Sequence, residues 1–333
     1  MPLNLTVEYL FQELGVVIVL FLAIVLDALL GEAKRFHPLV AFGCCANALE
    51  RILNSSNGSN IFAGSILSGV IAWVVLVCPP TLCIYLLEPD NAYMNILFSA
   101  VVLYFCIGHR SLKEHNQAIF LALKHNDIDS ARKNVSKIVS RDCTNLSELG
   151  VRKAALESVL ENGADALMAP IFWSILLGPA GAVMYRLANT LDAMWGYKNI
   201  RFIRFGRFSA RIDDVLNFIP ARLTALSYCV LGDTRCGLKA WSAQAHLCSS
   251  PNAGPVMAAG AGTLKIRLGG EASYEGLPIN KPTLGAGKPP VTEDLNRAIN
   301  LVSRCLWLWL AVIAFFVLLL EVSLSEVTRN ALA

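Results

Sequence analysis

The sequence predicts an all-α fold, a polytopic integral membrane protein with cytoplasmic helical regions and Pro/Gly-rich loops. Three observations carry that expectation. Of 333 residues, 55% are hydrophobic and 16% charged, with mean hydropathy +0.53; a soluble domain carries about 25% charged residues. Four apolar runs, at about 10–30, 61–87, 92–108 and 301–320, come near or pass the ~20 residues a crossing helix needs. The polar stretches between them either repeat at helical spacing or are rich in Pro and Gly. Residues 1–333 read as one membrane domain of this kind.

The net charge of +3 is small, and the basic residues are scattered among apolar runs, so no nucleic-acid face is expected. None of the ten cysteines forms a Cys-x-x-Cys pair, which argues against a zinc site or a disulfide framework. The N-terminus lacks a basic segment ahead of its apolar run, and Glu8 and Glu13 precede it, unlike a secretory leader.

The first run is apolar except for Asp27 and ends in a polar turn holding Lys34-Arg35 and His37-Pro38. Val40 to Leu53 reads as a short amphipathic helix, followed by a Ser/Asn/Gly loop. Pro79-Pro80 is expected to kink or end the second run. Glu88-Pro89-Asp90 forms an acidic turn before the third. Basic segments follow runs one and three, so the positive-inside rule puts Lys34-Arg35 and His109 onward inside and Glu88 outside.

Residues 109–161 read as cytoplasmic helices, with a stripe through Leu112, Ala118, Ala122 and Leu123. Asp127 caps the next helix, and a third runs from Ser147-Glu148. Residues 167–190 are apolar but broken by Pro170, Gly178, Pro179 and Gly181, with basic segments on both flanks. One full crossing would put one flank on the wrong face, so a re-entrant or broken helix pair is expected. Val215 to Leu231 is too polar for a clear span, and 232–300 reads as polar, Pro/Gly-rich and cytoplasmic.

Chemistry concentrates between Glu161 and Thr224. Ionisable groups beside a bilayer are costly unless they are paired or solvated, so such a cluster points to a functional site. Glu161 and Asp165, four apart, share a helix face and suit a divalent ion, or merely solvate a helix end. Asp213-Asp214-x-x-Asn217 is a second acidic cluster. Arg201, Arg204, Arg207 and Arg211 recur at helical spacing; they either clamp phosphate or anchor to anionic lipid. The turn Ser250-Pro251-Asn252-Ala253-Gly254 could form an anion nest. Gly285-Ala286-Gly287-Lys288 lacks the full phosphate-loop pattern, and Pro289-Pro290 forbids the helix that would follow.

Several motifs recur together: Asp27 with Gly31 and His37-Pro38; Arg110-Ser111-Leu112; Ser140-Arg141-Asp142; Leu156-Glu157-Ser158 with Glu161-Asn162 and Asp165; Asn189-Thr190-Leu191-Asp192; Gly196-Tyr197-Lys198-Asn199; Ala210-Arg211 with Asp213-Asp214; Asn217 with Pro220-Ala221-Arg222-Leu223-Thr224; and the turn at Ser250. On these, in order and over nearly the whole chain, the sequence resembles the CbiB/CobD family of cobalamin biosynthesis, the adenosylcobinamide-phosphate synthases. The resemblance implies an ATP-dependent ligase. It joins an aminoalcohol, usually aminopropanol O-phosphate, to the free propionate carboxyl of adenosylcobyric acid.

Residue chemistry and motif position then assign the site roles. Glu161, Asp165, Asp192, Asp213 and Asp214 are the expected catalytic acids for Mg-ATP, with Glu161, Asp165, Asp213 and Asp214 as Mg2+ ligands. Asn189, Lys198, Arg207, Arg211, Asn217, Arg222 and Asn252 are expected to bind substrate. The expected partners are the corrinoid, the amine, the lipid bilayer of the inner membrane and other membrane enzymes of nucleotide-loop assembly. Two other functions fit the same residues. One is a Mg2+-dependent membrane transferase acting on a diphosphate; the other is a corrinoid-binding scaffold without turnover.

Overall fold

Thirteen α-helices and one β-hairpin are built from the described residues, 14–33, 37–54, 64–274 and 277–331, of a computed structural model. The basic pair Lys34-Arg35, the leader acids Glu8 and Glu13, and most of the Ser/Asn/Gly loop lie outside those residues. In chain order the helices are α1 Gly15–Leu30, α2 Pro38–Leu53, α3 Ile66–Leu86, α4 Ala92–Cys106, α5 His109–Lys124, α6 Ile128–Val135 and α7 Glu148–Gly163. Then come a π-helical turn Ala164–Met168, α8 Ala169–Trp195, α9 Arg207–Leu216, α10 Phe218–Leu231, α11 Thr234–Gln244 and α12 Ala253–Leu264. The hairpin β1 Arg267–Tyr274 and β2 Leu277–Gly285 leads into α13, Asp294–Ala331.

Short polar side chains start five of the helices. Ser65, Asn91, Asp127, Ser147 and Asp233 each accept a backbone N–H from the first turn, at 2.9 to 3.2 Å. Each such cap stabilises its helix by about 1 kcal/mol.

Four helical stretches are long and apolar enough to cross a membrane: Ile66–Leu86, Ala92–Lys124, Glu148–Trp195 and Asp294–Leu320. The protein is therefore a multi-pass membrane protein. α1 is apolar but has only 16 described residues. α3 continues through Pro79 and Pro80 rather than ending there. A proline costs a helix interior about 3 kcal/mol, and here the buried face of Ala72, Leu76 and Val77 holds the helix on course.

α8 is two helices joined at a break. Leu177 (φ −129°, ψ 17°) and Gly178 (φ 65°, ψ −163°) leave the helical region. A left-handed φ of that kind suits glycine alone. The chain folds back there. A Cβ placed on Gly181 would lie 2.4 Å from the carbonyl oxygen of Trp173, although eight residues span about 12 Å along a straight helix. The tip sits beside the acidic turn, with the Glu88 carboxylate 3.7 Å from the Cβ position of Gly178.

α7 lies at the centre of the main core. Val151, Ala154, Ala155, Leu156, Val159 and Leu160 are all fully buried, so this helix is enclosed on every side rather than solvated on one. The reading of 109–161 as helices holds in its element positions; what it missed is that the third of them forms the core.

The region 232–300 corrects the sequence reading more strongly. It is not a loop region: α11, α12 and the hairpin fill most of it. α12 is made almost wholly of small apolar residues, and Gly and Ala there signal close packing instead of a turn. A Cβ on Gly262 would lie 2.6 Å from the Cys236 carbonyl oxygen and 2.7 Å from the Ala240 Cβ. In the hairpin, Arg267 pairs with Gly285 and Leu268 with Leu284, and a bulge at Gly269 (φ 75°) shifts the register before Gly270 pairs with Lys281.

One ion network ties hairpin to core. Buried Glu157 of α7 accepts from Arg141 (3.1 Å), from Lys281 (3.1 Å) and from the Gly269 backbone N–H (3.1 Å). Lys153 donates to the Gly269 carbonyl at 2.6 Å. A second tie holds the 199–206 segment against α2. Arg201 grips buried Glu50 with two bonds of 3.0 and 2.6 Å. Burial works against the Glu50 anion, but the bonds from Arg201 and Asn54 carry its carboxyl below the ordinary value.

Candidate active site

The site begins with a proline. Pro170 has no N–H to give the carbonyl of Ala166 four residues back. The Gly108 backbone N–H takes that carbonyl instead, at 3.1 Å. The π-turn Ala164–Met168 lies over this gap and carries Asp165; such turns often mark functional positions. Glu161 and Asp165 face one cavity of about 730 Å3, as their spacing predicts.

The returning arm of α8 supplies the facing wall. Arg186, Asn189, Ala193 and Gly196 follow at three- and four-residue steps, with Asp192 beside them, the repeat of one helix face. Asp27, Glu32 and His37 line the far end. The chamber is acidic: Asp27, Glu32, Glu161, Asp165 and Asp192 line it, against Lys137 and Arg186.

A second cavity, about 880 Å3, adjoins the first, and Gly196 and Tyr197 line both. Its lining is basic. Lys198, Arg207, Arg211, Arg222 and His246 contribute, with Asp214 as the acid. On α9 the residues Arg207, Ala210, Arg211 and Asp214 form the face that meets this cavity. Burial pushes the Asp214 carboxyl up, and Arg211 and Lys198 pull against that shift.

Asp213 and Asp214 do not act as a pair, because neighbouring residues on a helix point about 100° apart. Asp213 turns inward. It accepts from Asn189 (3.2 Å) and Asn217 (3.2 Å), while Asn217 accepts from the Tyr185 hydroxyl (2.9 Å). Burial raises the Asp213 carboxyl to about 6 against these two bonds. Asn252 likewise serves the frame. It donates to the Asp214 carbonyl (2.9 Å) and accepts from Arg222 (3.2 Å), which also bonds the carbonyls of Phe218 and Pro251.

The predicted residues therefore fall into three groups. Glu161, Asp165, Asn189 and Asp192 line the acidic cavity. Lys198, Arg207, Arg211, Asp214 and Arg222 line the basic one. Asp213, Asn217 and Asn252 line neither and are buried between. The four expected metal ligands, Glu161, Asp165, Asp213 and Asp214, are thus not gathered around one point. Among the described residues, no three His, Cys, Asp or Glu side chains converge on a position that would hold an ion.

Sequence reasoning missed Asp27 and Arg186 as cavity residues. Asp27 is buried and accepts the Arg110 backbone N–H at 2.9 Å. Its signal was present, a lone acid in an apolar run. Arg186 gave the same signal inside a segment read only for its breaks.

The burial of Asp213 yields a pH prediction. Between the ordinary value of 3.8 and about 6, folded Asp213 holds a proton that the unfolded chain has released. Its contribution to stability is therefore full below 3.8 and is lost as pH rises through about 6. Asp213→Asn should flatten the fall in melting temperature across that window. An unchanged slope would contradict the assignment.

A family model described as CobD/Cbib protein matches residues 20–302. A Stutzerimonas stutzeri protein named cobalamin biosynthesis protein CobD is 50% identical over 295 residues, covering 88% of this chain and 95% of that protein. Proteins with the same name from Chromobacterium violaceum and Clostridium perfringens are 48% and 34% identical, and the alignments cover 93% and 97% of their lengths. No solved structure matches. With the family pattern running from α1 to α13, through both cavities and the frame between them, the chain belongs to the CobD/Cbib protein family.

Proposed function

We propose that this protein acts in cobalamin biosynthesis as an ATP-dependent amide ligase. It would join an aminoalcohol, aminopropanol O-phosphate or a close analogue, to the free propionate carboxyl of adenosylcobyric acid. The observation that carries the reading is the pair of adjoining cavities with opposite linings, meeting at Gly196 and Tyr197. The names of the relatives support the pathway.

The chemistry needs two unlike environments. A carboxylate is a poor acyl donor, because oxide would have to leave. Transfer of the terminal phosphoryl of ATP to the carboxylate gives an acyl phosphate and ADP. The neutral amine then attacks the acyl carbon, inorganic phosphate departs, and the amine gives up one proton. Glu161 and Asp165 fit magnesium, which takes one or two carboxylates and completes its shell with water and phosphate oxygens. Bound there, the ion would neutralise phosphate charge. Asp192 faces the same chamber and would accept the amine proton. Lys198, Arg207 and Arg211 would hold the anionic end of the other substrate by charge-assisted bonds. Asn189 and Asn217 hold Asp213, and Arg222 and Asn252 hold the Ser250 turn, so these residues set the walls. The cavities would open to the cytoplasm, where ATP is present, from the inner membrane.

The test is ligation by full-length protein in mild detergent, with adenosylcobyric acid, Mg-ATP and either aminopropanol phosphate or aminopropanol. Mass spectrometry reads the amide, and nucleotide products are followed in parallel. Amide formation coupled to ATP cleavage is the expected result. Arg207→Ala/Arg211→Ala should raise KM for the phosphorylated amine by about tenfold or more and leave kcat less affected, the mark of lost ground-state binding. Folded protein that binds the corrinoid but makes no amide would overturn the ligase reading.

A further inference from the structure

Several arginines in this fold are used up by the frame. Arg110 spends its side chain on Glu114 and on the carbonyls of Ala28 and Leu29. Arg201 spends its own on Glu50, and Arg222 on Phe218, Pro251 and Asn252. Arg186 is different. It lines the acidic cavity, on the wall opposite Glu161 and Asp165. Its one side-chain bond is a long one, 3.5 Å to Asn189. Among the described residues it makes no ion pair, although acids surround it. Its Nε is closed off from solvent and has no partner. A buried donor left unmade costs about 1–3 kcal/mol, and an arginine retained at such a cost beside a bilayer points to function.

We infer that Arg186 is the anion-recognising residue of the acidic cavity and receives the phosphate group of a metal-bound ligand. The argument is one of charge. The carboxylates alone would attract a cation and repel every phosphate. A magnesium–phosphate ligand presents both signs, and the wall answers with its acids and with the Arg186 guanidinium; the other cation of the lining, Lys137, donates to Asn134 at 3.1 Å. Arginine suits the role because its planar fork meets two phosphate oxygens at once. The basic cavity then binds a second anion, so the two sites are separate. This inference rests on the ligase reading for the origin of the phosphate, which is either the nucleotide or the aminoalcohol phosphate.

Binding without turnover tests it. Full-length protein in detergent is titrated with Mg2+ plus pyrophosphate, and separately with Mg2+ plus phosphoethanolamine, by calorimetry. Arg186→Ala should weaken one of the two by about tenfold or more, and Arg186→Lys should restore only part of the loss, since lysine offers a point charge. Loss confined to pyrophosphate assigns the site to the nucleotide; loss confined to phosphoethanolamine assigns it to the amine. Arg51→Ala, at an exposed residue that lines neither cavity, should leave the affected probe unchanged. Variants are compared at equal melting behaviour, and Arg186→Gln replaces Arg186→Ala if the latter does not fold. Equal affinity of folded Arg186 variants and wild type for both probes overturns the inference, as does a wild type that binds neither. A wild type that binds a probe through Arg186 but forms no amide sinks the ligase reading and leaves the site standing.

Discussion

Glu157→Ala should destabilise the protein by about 3–5 kcal/mol, the range for removing one partner of a buried ion pair. The cost comes from what is left behind. Arg141, whose side chain is 6% exposed, loses its only carboxylate among the described residues, and the Gly269 N–H loses its acceptor. Lys281 is more exposed, at 29%, so solvent screens its share. Glu157→Gln keeps an oxygen for Gly269 while removing the charge, and should fall between wild type and alanine. Thermal unfolding in detergent measures both. A melting temperature for Glu157→Ala equal to that of wild type would show that the hairpin is not fastened to α7 through this carboxylate.

Asp165→Asn should lower ligation by about a hundredfold to a thousandfold while the fold persists, the range seen when one group that stabilises reaction charge is removed. The substitution is isosteric, and Asp165 is half-buried on the cavity wall, so packing changes little. The lost charge faces Glu161 across one helical turn, so the variant should also need more magnesium for half-maximal rate. Initial rates against magnesium concentration read both effects. Near-normal rates would move the metal-binding role away from the π-turn. Asn252→Ala offers a contrast, since Asn252 bonds Asp214 and Arg222 rather than lining a cavity. It should act through the shape of the basic cavity, on KM more than on the rate.

Much of this was legible in the sequence, for identifiable reasons. Long apolar runs have few alternatives, so α3, α4 and α13 fell close to their expected places. Asp127 and Ser147 ahead of helical patterns marked two of the helix starts. The acids of α7 and α8 announced themselves because charge in apolar surroundings is conspicuous. What sequence could not separate was Asp213 from Asp214. Their chemistry is the same, and only the seating of α9 decides that one faces two asparagines and the other a cavity. Composition misled in 232–300, since glycine and alanine serve turns and tight helix contacts alike, and Gly262 against Cys236 is the second case. The hairpin was hidden by Gly269 and Gly270, which bend a strand but read as loop.

The fold-back at Leu177–Gly178 constrains how the protein is made. The outgoing arm continues α7 through the π-turn to Leu176 and carries Glu161 and Asp165, and the returning arm carries Arg186 and Asp192. Neither would be released into lipid as an independent segment during synthesis. The two arms must enter together, sheltered by helices already in place, such as α3 and α4, which precede them in the chain and pack against them. The chamber walls are thus assembled late, once the returning arm has joined the helices that precede it.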